Sequence, residues 1–129
     1  MSLGALGKHL ILDLKQCDKA LLNDIDYVKE CMLEAARTIG ATIVDETFHK
    51  FKPLGVTGVV AIAESHLTIH TWPEYSYAAV DIFSCSETFK PQKAAAFLKD
   101  RFGAIEWSTT ELARGVFSEL AILPSESTL

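Results

Sequence analysis

Apolar and polar positions change period along this chain, and each change marks an element. His9 to Leu14 reads as a first strand. The apolar positions Ile25, Val28, Met32, Ala35, Ala36 and Ile39 then follow helical spacing, with Asn23 or Asp24 as the cap and Gly40 just beyond the end. Thr42 to Phe51 is β-branched and aromatic and predicts a strand, and Pro53 with Gly55 marks a turn. Val56 to Ala63, Leu67 to Thr71 and Tyr77 to Ser84 predict three more strands, with Pro73 closing the second of them. Pro91 opens a second helix to about Phe102, striped by Ala94, Ala95, Leu98 and Phe102 and followed by Gly103. Ile105 to Leu112 and Val116 to Ile122 are weaker strand patterns around Gly115, and Pro124 to Leu129 reads as a loose tail.

Strands in runs with few helices predict an α+β fold, a two-layer sandwich with an antiparallel sheet and both helices on one face. The order β-α-β-β, an extra strand, then β-α-β-β suggests a βαββ internal repeat. The 129 residues fit a single domain spanning 1–129, long enough to bury a core without staples. A net charge of -5 argues against a nucleic-acid partner, which wants a basic stripe. The three cysteines, Cys17, Cys31 and Cys85, have no CxxC spacing, which predicts reduced thiols and a cytoplasmic setting. The N-terminus lacks the layout of a signal peptide, and no stretch approaches the roughly 20 apolar residues of a membrane span.

The densest chemistry lies in Glu64-Ser65-His66-Leu67-Thr68-Ile69-His70-Thr71-Trp72-Pro73-Glu74, launched from the apolar run Val59 to Ala63. A metal is not expected here: His66 and His70 on a strand stand about 13 Å apart and cannot share an ion. Ser65, His70 and Glu74 suggest a hydrolase triad, yet no G-x-S-x-G elbow surrounds Ser65. Backbone chemistry is the third option. A serine hydroxyl attacks the carbonyl before it, the amide becomes an ester, and β-elimination cuts the chain and leaves a pyruvoyl group. That route needs a polarised carbonyl, a base for the serine Cα proton and exclusion of water. Taken singly, Phe51 reads as core, Cys85 as a small buried hydrophobe and Glu74 as a solvated turn residue; Cys17, Cys31, His9 and His49 read as structural.

The segment Phe51 to Val60, the run Glu64 to Glu74 and the strand Tyr77 to Cys85 together resemble the short prokaryotic S-adenosylmethionine decarboxylase proenzymes. Gly7-Lys8-His9-Leu10 and Cys17-Asp18 are similar to that family too, so the resemblance runs from about Leu6 to Pro91. It implies a self-cleavage bond between Glu64 and Ser65, giving a β chain of 1–64 and an α chain of 65–129. Ser65 would become the pyruvoyl cofactor that forms a Schiff base with the substrate. His70 would take the Cα proton during processing, and Cys85 would protonate the product carbon. Phe51 would stack on adenine, and Glu74 would bind the ribose hydroxyls. Thr57 stands where the family usually has a serine that assists processing. Its added methyl restricts χ1 and leaves Thr57 a less defined aid. Ser76 and Ser86 stand where relatives often have glycine, a departure that bears on turn geometry.

The implied activity is decarboxylation of S-adenosylmethionine to the aminopropyl donor for spermidine synthesis, by a cytoplasmic homodimer of processed αβ units without membrane or nucleic-acid partners. Two other readings stay open. The same electron sink would serve an arginine or ornithine decarboxylase, and a chain that never processes would be a small-molecule-binding regulator.

Overall fold

The computed structural model describes residues 4–117. Its elements are β1 (Ala5–Lys15), α1 (Lys19–Leu22), α2 (Ile25–Thr38), β2 (Ile43–Lys50), β3 (Val56–Ile62), β4 (Ser65–Trp72), a 3₁₀ turn (Pro73–Tyr75), β5 (Tyr77–Ser84), α3 (Pro91–Arg101) and β6 (Glu106–Val116). The strands form one antiparallel six-stranded sheet in the order β2-β3-β4-β5-β1-β6. Alternation sorts each strand onto two faces. Leu10, Leu12 and Leu14 of β1, Val56, Val60 and Ile62 of β3, Leu67 and Ile69 of β4, and Ala78, Val80 and Ile82 of β5 are buried in one core. Val28, Met32 and Ala36 of α2 and Ala94, Ala95 and Leu98 of α3 join the same core. The α+β sandwich expected from the sequence is therefore the observed fold.

The helix ends follow the sequence signals. Asp24 caps α2 by accepting from the Tyr27 N–H at 3.1 Å, and Gly40 follows at φ +78°, the left-handed conformation that ends the helix. The pattern missed α1, although Asp18 announces it by accepting from the N–H groups of Ala20 and Leu21. Two strands begin earlier than the pattern suggests. β4 starts at Ser65 because its hairpin with β3 turns in two residues, Ala63 and Glu64. β1 starts at Ala5 because β6 extends its ladder, pairing Ala5 with Val116.

The C-terminal strands are a correction. Instead of a break at Gly115, one strand runs to Val116, since β1 pairs with both Arg114 and Val116 on either side of the glycine. Cross-strand pairing carries the strand past Gly115, which keeps a left-handed φ of +67° and is skipped in the ladder. The rest of the expected Val116 to Ile122 strand lies outside the described residues, and with it the last strand of the second βαββ unit.

Among the described residues, no helix packs on the second face of the sheet. It presents His9, Ile11 and Asp13 of β1, Tyr77, Ala79, Asp81 and Phe83 of β5, His66, Thr68, His70 and Trp72 of β4, and Thr57 and Val59 of β3, all half-buried or exposed. A line of polar contacts crosses it. His9 Nε2 lies 3.1 Å from Asp81, Thr68 donates to Asp81 at 3.2 Å, and Arg114 reaches His9 Nδ1 at 3.1 Å.

Candidate active site

The turn between β3 and β4 is under strain. Ala63 and Glu64 keep negative φ, and Ser65, the first residue after the turn, takes φ +148°. In a short hairpin the residue that follows the turn often takes positive φ and is then usually glycine; here a serine holds it. The carbonyl immediately before that serine is also polarised. Glu64 O accepts from the Cys85 N–H at 3.0 Å and from the Cys85 thiol at 3.3 Å. Two donors on one carbonyl oxygen stabilise negative charge that develops there. The turn is tied down from the β2 side: Ala63 N–H donates to Thr42 O at 2.8 Å, and Thr42 N–H donates to Glu64 Oε1 at 3.3 Å. A cavity of about 450 Å³ opens here, lined by Gly7, Lys8, Ser84, Cys85, Ser86 and Glu87 among others.

A second cluster lies further along the same strands. Thr57 Oγ1 and His70 Nδ1 stand 3.1 Å apart as facing residues of β3 and β4. They share a cavity of about 310 Å³ with Phe51, Leu54, Trp72 and Glu74. Its floor is fixed from below. Gly55 N–H donates to Asn23 Oδ1 at 2.9 Å, and the buried Thr71 hydroxyl accepts from Val56 N–H at 2.8 Å while donating to Leu22 O at 2.9 Å. Trp72 stacks on Tyr77, whose hydroxyl donates to Asp13 at 2.6 Å. Burial, with Asp13 next in weight, pushes the Tyr77 phenol up to about 12.

One chain thus brings the sequence-derived residues together as two groups. Ser65, Glu64 and Cys85 meet at the turn, while Phe51, Thr57, His70 and Glu74 share the second cavity. Ser65 and His70 are separated by five strand positions, about 16 Å. Two single-residue readings are corrected. Phe51 is 46% exposed and not core, and Cys85 is exposed and not buried. Both end a strand or follow one, where packing gives way to an opening. Cys17 and Cys31 are buried, and burial raises the Cys17 thiol to about 11. Sequence reasoning missed Trp72, which it had treated only as part of a motif, and His9 with Asp81. Their signal was charged or aromatic residues alternating with core leucines and valines. His66 joins that face against Phe83, and burial followed by the nearby His9 lowers its imidazole. Among the described residues no cluster of His, Cys, Asp or Glu is arranged to hold a metal ion, and no helix is long and apolar enough to cross a membrane.

A carbonyl with two donors beside a hairpin serine at φ +148°, set on a two-layer α+β sheet, has the groups that backbone self-processing needs. The S-adenosylmethionine decarboxylase family model matches residues 8–115, and the chain belongs to that family. It is 52% identical over 111 residues to the S-adenosylmethionine decarboxylase proenzyme of Acidithiobacillus ferrooxidans, covering 86% of this chain and 84% of that one. The proenzyme of Thermotoga petrophila is 48% identical over 123 residues, covering 95% and 94%. The crystal structure of the adenosylmethionine decarboxylase from Aquifex aeolicus superposes with a TM-score of 0.83 at 29% identity, covering 90% of this chain and 96% of that one.

Proposed function

We propose that this chain is a proenzyme that cuts itself between Glu64 and Ser65, and that the matured protein decarboxylates S-adenosylmethionine to the aminopropyl donor for spermidine synthesis. The observation that carries this reading is the Glu64 carbonyl held by the Cys85 N–H and thiol beside a serine at φ +148°. The φ +148° of Ser65 is a costly conformation that breaking the Glu64–Ser65 bond relieves, and the two donors favour the oxyanion formed when Ser65 Oγ attacks. The resulting ester breaks when a base removes the Ser65 Cα proton. The fragments are 1–64 and 65–129, the second beginning with the pyruvoyl group derived from Ser65. That group acts as an electron sink for the departing carboxylate. Cys85, exposed at the same turn, is the donor that protonates the product carbon.

His70 is the base of this reading, and its separation from Ser65 within one chain supports placing it at the turn of a second copy. A Thr57 oxygen accepting from Nδ1–H leaves the Nε2 lone pair free to take the proton. A homodimer with an isologous contact through the helix-free face would bring each Thr57–His70 cluster to the other copy's Ser65–Cys85 turn. Exposure favours the same arrangement. Phe51, His70, Glu74 and Cys85 are all exposed in one copy, whereas carbanion chemistry needs water excluded. Phe51 and Glu74 would then stack on the adenine and accept from the ribose hydroxyls in the second cavity. The free thiols support a cytoplasmic enzyme.

Intact mass and carbon dioxide release test this directly. The expected result is two fragments meeting at Glu64 and Ser65, the second blocked to Edman sequencing and reactive with carbonyl reagents. Carbon dioxide should be released from S-adenosylmethionine and not from arginine or ornithine. A second fragment that begins with a free serine amine would mean plain hydrolysis and would remove the pyruvoyl reading.

A further inference from the structure

The carbonyl oxygen that Cys85 holds is an atom whose charge changes when the chain matures. We infer that the α-carboxylate left on Glu64 by cleavage stays against Cys85 and keeps its thiol protonated, so that maturation itself prepares the proton donor. This rests on the self-cleavage proposed above.

The chemistry of the cut fixes the sign of the new charge. Ser65 Oγ bonds to the Glu64 carbonyl carbon, and the carbon–nitrogen bond breaks to give an ester and an amine on residue 65. A base takes the Cα proton, the Cβ–Oγ bond breaks, and its electron pair leaves with the oxygen as the Glu64 carboxylate. The remaining dehydroalanine isomerises to an imine, and one water converts it to the ketone with release of ammonia. Hydrolysis would leave both a carboxylate and an ammonium at the turn. This route leaves the carboxylate alone, because the nitrogen departs. The turn gains one negative charge and no new positive one.

The structure also says where that charge stays. Glu64 is anchored by contacts independent of the bond being cut: Ala63 N–H on Thr42 O at 2.8 Å, and Glu64 Oε1 on Thr42 N–H at 3.3 Å. The oxygen already within 3.3 Å of the thiol and 3.0 Å of the Cys85 N–H becomes one of the two carboxylate oxygens. A neutral acceptor thus becomes an anionic one. An anion at that distance disfavours the thiolate and strengthens the S–H donor bond. Other charged or titratable groups lie around the turn: Lys8 of β1, Glu87 of the loop after β5, the Glu64 side chain, His66 of β4 and Arg114 of β6 beyond Phe83. All are present before and after the cut, which adds two groups to the turn: the charged Glu64 carboxylate and the uncharged pyruvoyl ketone. Before cleavage Cys85 polarises the carbonyl; after it, the same pair of groups holds a proton ready for the product.

The test is alkylation of Cys85 by iodoacetamide across a pH series, followed by peptide mass, on matured wild-type protein and on uncleaved Ser65→Ala. Cys85 is the exposed thiol, and the buried Cys17 and Cys31 serve as internal controls. Near pH 8 the matured protein should react about tenfold more slowly, a shift of roughly one pH unit in the profile. Thiolate absorbance over the same series reads protonation without a reagent that must reach the sulfur. A cleaved chain whose thiolate signal and alkylation follow those of Ser65→Ala overturns this inference alone. A wild-type chain that stays at full length overturns the cleavage reading together with it.

Discussion

Co-expression of two inactive variants distinguishes a shared site from one built within a single chain. Ser65→Ala lacks the nucleophile and keeps His70; His70→Ala keeps Ser65 and Cys85 and lacks the base. Within one copy Ser65 and His70 stand about 16 Å apart along β4. Proton transfer needs heavy atoms about 3 Å apart, so rotamer changes on a paired strand do not close the gap. If the base comes from a second copy, a mixed pair contains one complete site: the turn of the His70→Ala chain and the Thr57–His70 pair of the Ser65→Ala chain. Equal expression and random pairing place about half of the chains in mixed pairs. With different tags on the two variants, about half of the His70→Ala chains should appear as fragments on a gel and by mass, and none of the Ser65→Ala chains. His70→Ala expressed alone, or with the double variant Ser65→Ala/His70→Ala, should stay intact. Co-purification of the two tags verifies that mixed pairs form. Mixed pairs whose His70→Ala chains remain uncut would refute the shared site, and variants that never co-purify would refute the pairing itself.

Two further outcomes follow from the contacts beneath and beside the site. Thr71→Val keeps the side-chain shape but strands the Val56 N–H and the Leu22 carbonyl, both bonded to the buried hydroxyl. A loss of about 2–4 kcal/mol is expected, roughly a 10 °C fall in melting temperature; calorimetry showing a change under 2 °C would contradict it. His66 is held below the usual imidazole range by burial and by His9, so the unfolded chain binds its proton first as pH falls. Its contribution is intact above about pH 6.5 and is lost as pH drops below that value. Urea titrations at pH 7 and pH 5 should show His66→Gln losing less stability than wild type on acidification; equal losses would count against the assignment.

The core was legible in the sequence because it obeys two short periods. Leu10, Leu12 and Leu14 alternate along a strand, and Val28, Met32 and Ala36 repeat along a helix, so one face and one stripe had to meet. The caps at Asp24 and Gly40 were legible for the same local reason. β6 was not, because its eleven residues form a single strand only through the partners β1 provides. The site was legible as a set of residues and not as a geometry. The run from Glu64 to Glu74 carries the resemblance, but linear proximity suggested that His70 serves the serine beside it. Strand pairing sets the opposite rule: residues five apart on β4 are remote, while Thr57 and His70, thirteen apart in sequence, face each other. The contact between Glu64 O and Cys85, twenty-one residues apart, has no sequence signal at all and arises from β4 pairing with β5.

The division of the chemistry between two places on one strand orders the events of the proposed maturation. Attack by Ser65 draws only on groups of its own turn: the φ +148° backbone, the Cys85 N–H and the Cys85 thiol. That step is reversible, because an ester beside a free amine returns to the amide. The committed step is loss of the Cα proton, and its base sits in the other cluster. In that reading a solitary copy would interconvert amide and ester without losing chain integrity, while a paired copy would proceed to cleavage. Such pairing would also cover Cys85 and His70, so the pyruvoyl group would form only where water has already been excluded. Assembly before cleavage protects a reactive ketone that an open turn would leave to solvent.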